Sequence, residues 1–117
     1  MPVKFEKSAY DAIEPEVDGV RIVATRFWPR GLSKAARDLY LPDLAPSEPL
    51  MRGLQAGEII WSEFAKRYRA EMKDQRSLIR TLGWMSGRGE TLTVMCSCEK
   101  PDRCHRSLLA ALIEKAD

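Results

Sequence analysis

The sequence predicts a small α/β domain, a mostly parallel sheet covered by helices, and three observations carry that expectation. Two β-prone runs, Val20 to Phe27 and Thr91 to Met95, stand far apart in the chain. A long segment with helical periodicity lies between them. A second amphipathic segment follows the later run and closes the chain. Strands separated by helical crossovers favour a sheet that is at least partly parallel. The 117 residues suit one domain spanning positions 1–117. A chain of that length buries roughly 65% of its unfolded surface, enough for a core without staples.

Each element follows from local chemistry. Val3 to Phe5 alternates weakly, as a short first strand does. Tyr10 to Asp18 is acidic and turn-rich, and Asp18-Gly19 is a turn signal. Val20, Ile22, Val23, Ala24 and Phe27 then read as a buried strand, terminated by Trp28-Pro29-Arg30-Gly31. Ser33 caps a short helix over Lys34 to Leu39. From Leu41 to Gly57, Pro42, Pro46, Pro49 and Gly53 punctuate what reads mostly as loop. Trp61, Phe64, Ala65, Tyr68 and Met72 fall on one face of a helix that begins near Ser62. Glu63 with Arg67, and Arg67 with Glu71, add i,i+4 charge pairs to it. Leu78, Ile79, Leu82 and Met85 continue an apolar face after a break near Asp74. The last helix, Cys104 to Lys115, carries Leu108, Leu109, Leu112 and Ile113 on one face, with Asp102 as its N-cap.

Composition excludes several classes of protein. Hydrophobic residues are 44% and charged residues 31%, a globular balance. No apolar run approaches the ~20 residues of a membrane helix, so no membrane partner is expected. Met1 to Lys7 is charged and lacks the apolar centre of a secretory leader. The net charge of +2 does not announce nucleic-acid binding, so basic residues matter only where they cluster. The three cysteines, all between positions 96 and 104, read as reduced thiols of a cytoplasmic protein.

Those cysteines mark the candidate site. Cys96 and Cys98 follow the end of a strand, and open α/β sheets bind ligands outside the carboxyl ends of their strands. The last helix begins at Cys104, where a helix terminus favours anions and thiolates. Arg103, His105 and Arg106 add to that field. Cys96, Cys104 and His105 are therefore the candidate catalytic groups. A second basic group, Arg26, Arg30 and Lys34 with Trp28, follows the earlier strand. Arg26 near a buried strand end needs a partner, for which Asp18 and Glu71 are the candidates. Arg26, Arg30, Arg103 and Arg106 form the expected anion-binding set. No metal is expected, because adjacent Cys104 and His105 on a helix diverge by about 100°. A phosphatase-like or rhodanese-like loop is present in layout alone, since the spacing from Cys to Arg departs from the usual five residues.

Several of these segments resemble a known family. Tyr10-Asp11, Asp18-Gly19, the run Arg26-Phe27-Trp28-Pro29-Arg30-Gly31-Leu32-Ser33-Lys34, Asp43-Leu44-Ala45-Pro46-Ser47, and Trp61-Ser62-Glu63-Phe64 with Arg67-Tyr68 and Glu71 resemble the YeaO-like branch of domain of unknown function 488. Cys96 with Cys104-His105-Arg106 resembles the thiol and Cys-His-Arg signature of other branches. The resemblance implies a compact α/β domain and no particular reaction. The expected function is thiolate chemistry on a phosphate- or nucleotide-like anion, without a cofactor. The competing expectation is a ligand- or nucleic-acid-binding regulatory module whose cysteines are structural or redox-sensitive. The oligomeric state is not legible.

Overall fold

In the computed structural model, which describes residues 2–97 and 104–116, the run after Gly19 forms strand β1, Val20–Val23. Strand β2 is Leu39–Tyr40 and β3 is Leu92–Met95. The sheet order is β2-β1-β3, and β1 is parallel to both neighbours. Ile22 pairs with Leu39 on one side and Val94 on the other. The two strands expected from their β-branched residues are thus adjacent. The weak first strand is reduced to a bridge between Lys4 and Thr93 at the outer side of β3.

The side-chain period of two sorts these strands into unlike faces. Ile22, Leu92 and Val94 join the main core with Phe64, Tyr68, Leu82, Leu109 and Ile113. Those partners come from three helices: α3, Trp61–Glu71; α4, Arg76–Gly87; and α5, His105–Ala116. Two shorter helices precede them, α1 over Pro15–Asp18 and α2 over Glu48–Gln55. A 3-10 turn over Met72–Gln75 joins α3 to α4, which is the expected break near Asp74. Trp61, Phe64 and Tyr68 stack in series, with centroids 5.2 and 6.2 Å apart. The other face carries Val23 and Met95, which cluster with Ala9 and are packed by Leu32 and Tyr40. Among the described residues, irregular chain with the one-turn α1 and the 3-10 turn Lys34–Ala36, and no long helix, covers that face. No described helix is long and apolar enough to cross a membrane.

Three expectations are corrected. The first strand ends at Val23 and does not reach Phe27, whose ring is 69% exposed. The helix expected over Lys34 to Leu39 is a 3-10 turn, Lys34–Ala36, capped by Ser33 as anticipated. Beyond it the chain is captured by the sheet, where Asp38 N–H donates to Arg21 O at 2.8 Å and its carboxylate accepts from Arg21 N–H at 2.8 Å. The segment Leu41 to Gly57 is not mostly loop, because it contains a 3-10 turn, Pro42–Leu44, and helix α2. Pro49 lies in the first turn of α2, where its missing N–H costs nothing, and Ser47 caps the helix through Leu50 N–H.

Gly19 turns the chain into β1 with φ +63° and ψ −131°. A Cβ there would lie 2.2 Å from Thr91 O, an atom that already accepts from Val20 N–H at 2.8 Å. Gly19→Ala is expected to lower stability by about 2–3 kcal/mol, from backbone strain and this overlap. Chemical denaturation checks it, and a loss below about 0.5 kcal/mol, the surface range, would contradict the tight approach.

Candidate functional site

Parallel pairing brings the carboxyl ends of the strands to one edge, and the site is assembled there. Ala24 is the first residue beyond β1 and Cys96 the first beyond β3. Ala24 N–H donates to Met95 O at 2.9 Å, which sets the two ends side by side. The backbone of Cys96 is held from the other side, its carbonyl accepting from Ala9 N–H at 2.8 Å and Ser8 Oγ at 3.2 Å.

The start of α5 completes the cluster. Cys104 precedes the first helical residue, His105, and both are buried. Cys104 Sγ lies 2.8 Å from Cys96 Sγ and 3.7 Å from His105 Nδ1. Neither thiol is in a disulfide. His105 Nε2 lies 2.7 Å from Ala24 O. A carbonyl only accepts, so Nε2 carries the hydrogen. In the tautomer with its hydrogen on Nε2, the lone pair of Nδ1 faces Cys104. Tyr68 packs beside the imidazole, with centroids 5.8 Å apart, and donates its hydroxyl to Leu44 O at 2.7 Å. Burial, then the Cys104 and Glu71 charges, push the Tyr68 phenol up, so it stays neutral.

The argument that Cys104 and His105 diverge on a helix does not hold, because Cys104 sits ahead of the helix. The ligand atoms of Cys96, Cys104 and His105 lie within 4.8 Å of one another. Two thiols and an imidazole supply three of zinc's usual four ligands. A His whose other nitrogen donates to a backbone carbonyl also suits a metal ligand. The cluster can therefore serve either proton transfer or metal binding.

A pocket of about 400 Å³ opens over the cluster, lined by Thr25, Arg26, Arg52, Cys96, Ser97 and His105 among others. Cys104 lies behind it. Cys96 is only 1% exposed, so the pocket meets it through a small part of its surface.

The arginines separate. Arg26 is exposed at the pocket and is not paired with Asp18 or Glu71, since its Nη2 donates to Ala45 O at 3.2 Å and Pro46 O at 3.4 Å. Arg30 is exposed, with its carbonyl accepting from Tyr10 Oη at 2.7 Å, and does not line the pocket. Arg106 is fully buried and donates to Lys7 O, away from the pocket lining. Arg103 lies outside the described residues, as do Cys98 and the proposed N-cap Asp102.

Two charged residues escaped the sequence reading. Arg52 faces the pocket from α2, 3.5 Å from Glu48. The cap at Ser47 followed by Glu48-Pro49 signals that helix, and its i,i+4 spacing pairs Glu48 with Arg52. Arg21 is 2% exposed inside β1 and pairs with the buried carboxylate of Asp18.

These features define a class, a small parallel α/β protein with a thiol–imidazole cluster at the carboxyl edge of its sheet. The chain belongs to the DUF488 family and is YeaO-like. The model of the active DUF488-N3 subclade matches residues 6–117. An uncharacterized protein of Mycobacterium tuberculosis (strain ATCC 25618 / H37Rv), Rv3073c, is 31% identical over 106 residues, covering 89% of this chain and 87% of the relative. The uncharacterized protein YeaO of Escherichia coli (strain K12) is 28% identical over 106 residues, covering 89% of this chain and 90% of the relative. No solved structure matches the chain.

Proposed function

We propose that the chain is a small enzyme that acts through the Cys96 thiolate on a phosphate- or nucleotide-like anion held beside Arg26. One observation carries this reading. The Ala24 carbonyl, the His105 imidazole, the Cys104 thiol and the Cys96 thiol run in line, and only the last thiol lines the pocket. A thiol of ordinary pKa, about 8.5, is mostly protonated at neutral pH and needs an acceptor for its proton. Here the Cys96 proton passes to Cys104 as the proton of Cys104 passes to His105 Nδ1. The imidazolium stays oriented by its Nε2–H bond to Ala24 O. The Cys96 sulfur then forms a bond to the electrophilic atom while the bond to the leaving group breaks. His105, which itself lines the pocket, then gives its proton to the leaving group, and water cleaves the sulfur–substrate bond and returns Cys96 to its thiol. This is nucleophile–base–orienter logic with a backbone carbonyl in the third role. Arg26, anchored on two carbonyls, supplies charge for the ligand.

The test is alkylation by iodoacetamide at neutral pH, with modified sites mapped by mass spectrometry. Cys96 should react, inorganic phosphate should slow it, and EDTA should leave the rate unchanged. In Arg26→Ala the protection by phosphate should fall several-fold. A Cys96 that reacts only after EDTA removes one zinc per chain would replace this reading with a metal centre. A Cys96 that stays inert throughout would leave packing as its role.

A further inference from the structure

We propose that a second, basic groove on the opposite set of elements binds the phosphodiester backbone of a nucleic acid. The groove, about 560 Å³, shares no lining residue with the thiol pocket. Arg69, Lys73, Arg76, Arg80 and Lys115 line it, and no acidic residue does among the described residues. All five are exposed. Among the described residues none of the five makes an ion pair, whereas Lys7, Arg52 and Arg67 each pair with a neighbouring carboxylate. The molecule as a whole is nearly balanced at +2, so this concentration of one sign is local.

The placement is periodic. Positions 69, 73, 76 and 80 repeat at helical spacing along α3, the 3-10 turn and α4, and Lys115 approaches from α5. The contour from Arg69 to Arg80 is roughly 18–19 Å at ~1.5 Å per α residue and ~2.0 Å per 3-10 residue. One strand of a duplex carries about five phosphates over that rise, one per ~3.4 Å. The number and spread of the cations therefore match one strand of phosphates.

The floor decides between nucleic acid and acidic polypeptide. Met72 and Ile79 are 4% and 6% exposed and close the core, and the half-buried Leu112 and Ala116 add a shallow aliphatic floor in an open groove, short of the enclosed pocket an apolar anchor fills. No aromatic ring lines the groove, so bases have nothing to stack on. The groups that discriminate are the charges, with three guanidinium forks suited to phosphate oxygens. Binding is to the backbone, without base readout.

Fluorescence anisotropy with labelled duplex DNA, and with duplex RNA of equal length, tests this. At least one duplex should bind, and raising salt from about 50 to 200 mM should weaken it by roughly 10²- to 10³-fold, as about five phosphate contacts require. Arg76→Glu with Arg80→Glu should abolish binding. Lys66→Glu with Arg67→Glu changes net charge equally outside the groove and should retain most of it. Circular dichroism confirms that both variants are folded. Absence of binding at low salt would overturn the proposal, and so would equal loss in the two variants. Displacement of the duplex by polyglutamate at equal charge concentration would overturn it in favour of an acidic polypeptide. None of these outcomes depends on the thiol site, because no cysteine enters the measurement.

Discussion

Asp18→Ala is expected to cost about 3–5 kcal/mol of unfolding free energy, because it leaves a buried guanidinium without its counter-charge. Asp18 is fully buried and Arg21 is 2% exposed. Arg21 Nη1 donates to the Asp18 carboxylate. The rest of the guanidinium serves as a tie: Nε donates to Ala36 O, Nη1 also to Ala12 O at 3.3 Å, and Nη2 to Ala9 O at 3.4 Å. One side chain of β1 thus holds two segments against the face of the sheet that, among the described residues, no long helix covers. Lys7 Nζ reaches the same carboxylate at 2.9 Å, and Glu14 N–H donates to it at 3.0 Å. Burial alone would push the Asp18 carboxyl up. Hydrogen bonds from Lys7, the Glu14 N–H and Arg21 outweigh it and hold the group below its ordinary 3.8. The sign follows. A carboxyl depressed in the folded state contributes stability that is present above its unfolded pKa and lost as pH falls through the lower folded value. Urea unfolding of the wild type should therefore weaken with falling pH below about 4, and Asp18→Ala should lack that component. Replacing both partners, Asp18→Leu with Arg21→Met, should recover part of the loss, since no charge is then stranded. A single-variant cost below about 1 kcal/mol would mean that the pair behaves as a surface one.

That pair shows what the sequence hides. Val20 to Val23 is legible as a strand from its branched residues, and its apolar face is the core face. Arg21 sits in the middle of the run, and only the pleat shows that its face is covered by loop carbonyls it can satisfy. Strand β2 is illegible for a different reason. Two residues carry no period, and their pairing is dictated by the edge of β1. Helix α2 was masked by Pro49 and Gly53, read as breakers although the first lies in the first turn and the second packs 3.5 Å from Ile59. The stripe from Phe64 to Met72 was fully legible, because a 3.6-residue period over a long segment leaves little choice of face. In the site, the end of a strand and the start of a helix placed Cys96, Cys104 and His105 at one junction. The charges around them could not be sorted, since adjacent arginines point to different solvents. Arg26 faces the pocket, Arg106 faces the interior, and Arg30 lies outside both. The basic groove was equally hidden. Its cations alternate in sequence with acidic residues such as Glu71 and Asp74, and only the helical face separates them.

His105→Gln is expected to slow alkylation of Cys96 at neutral pH by about 10²-fold, the scale of a lost general base. The substitution is chosen to keep structure and remove chemistry. A glutamine amide can donate to Ala24 O as Nε2 does, so the tie between α5 and the end of β1 survives. It offers no basic nitrogen to Cys104. Cys104→Ser breaks the line at its middle and should slow the reaction by about 10-fold or more, because a hydroxyl, though a good hydrogen-bond donor, is a far weaker acid than a thiol and does not release its proton to His105. If His105 acts by taking a proton, the deficit must shrink as pH rises through the ordinary thiol range near 8.5, where hydroxide does the same work. If His105 only packs against Tyr68, the deficit should be small or should persist at every pH, because misplacing the sulfur is not repaired by base. Unfolding curves for each variant separate the two cases further. A variant that loses reactivity while keeping its stability within about 1 kcal/mol has lost chemistry and not fold. Equal rates for wild type and His105→Gln across the whole pH range would end the relay, and Cys96 would then be an ordinary buried thiol at the edge of a pocket.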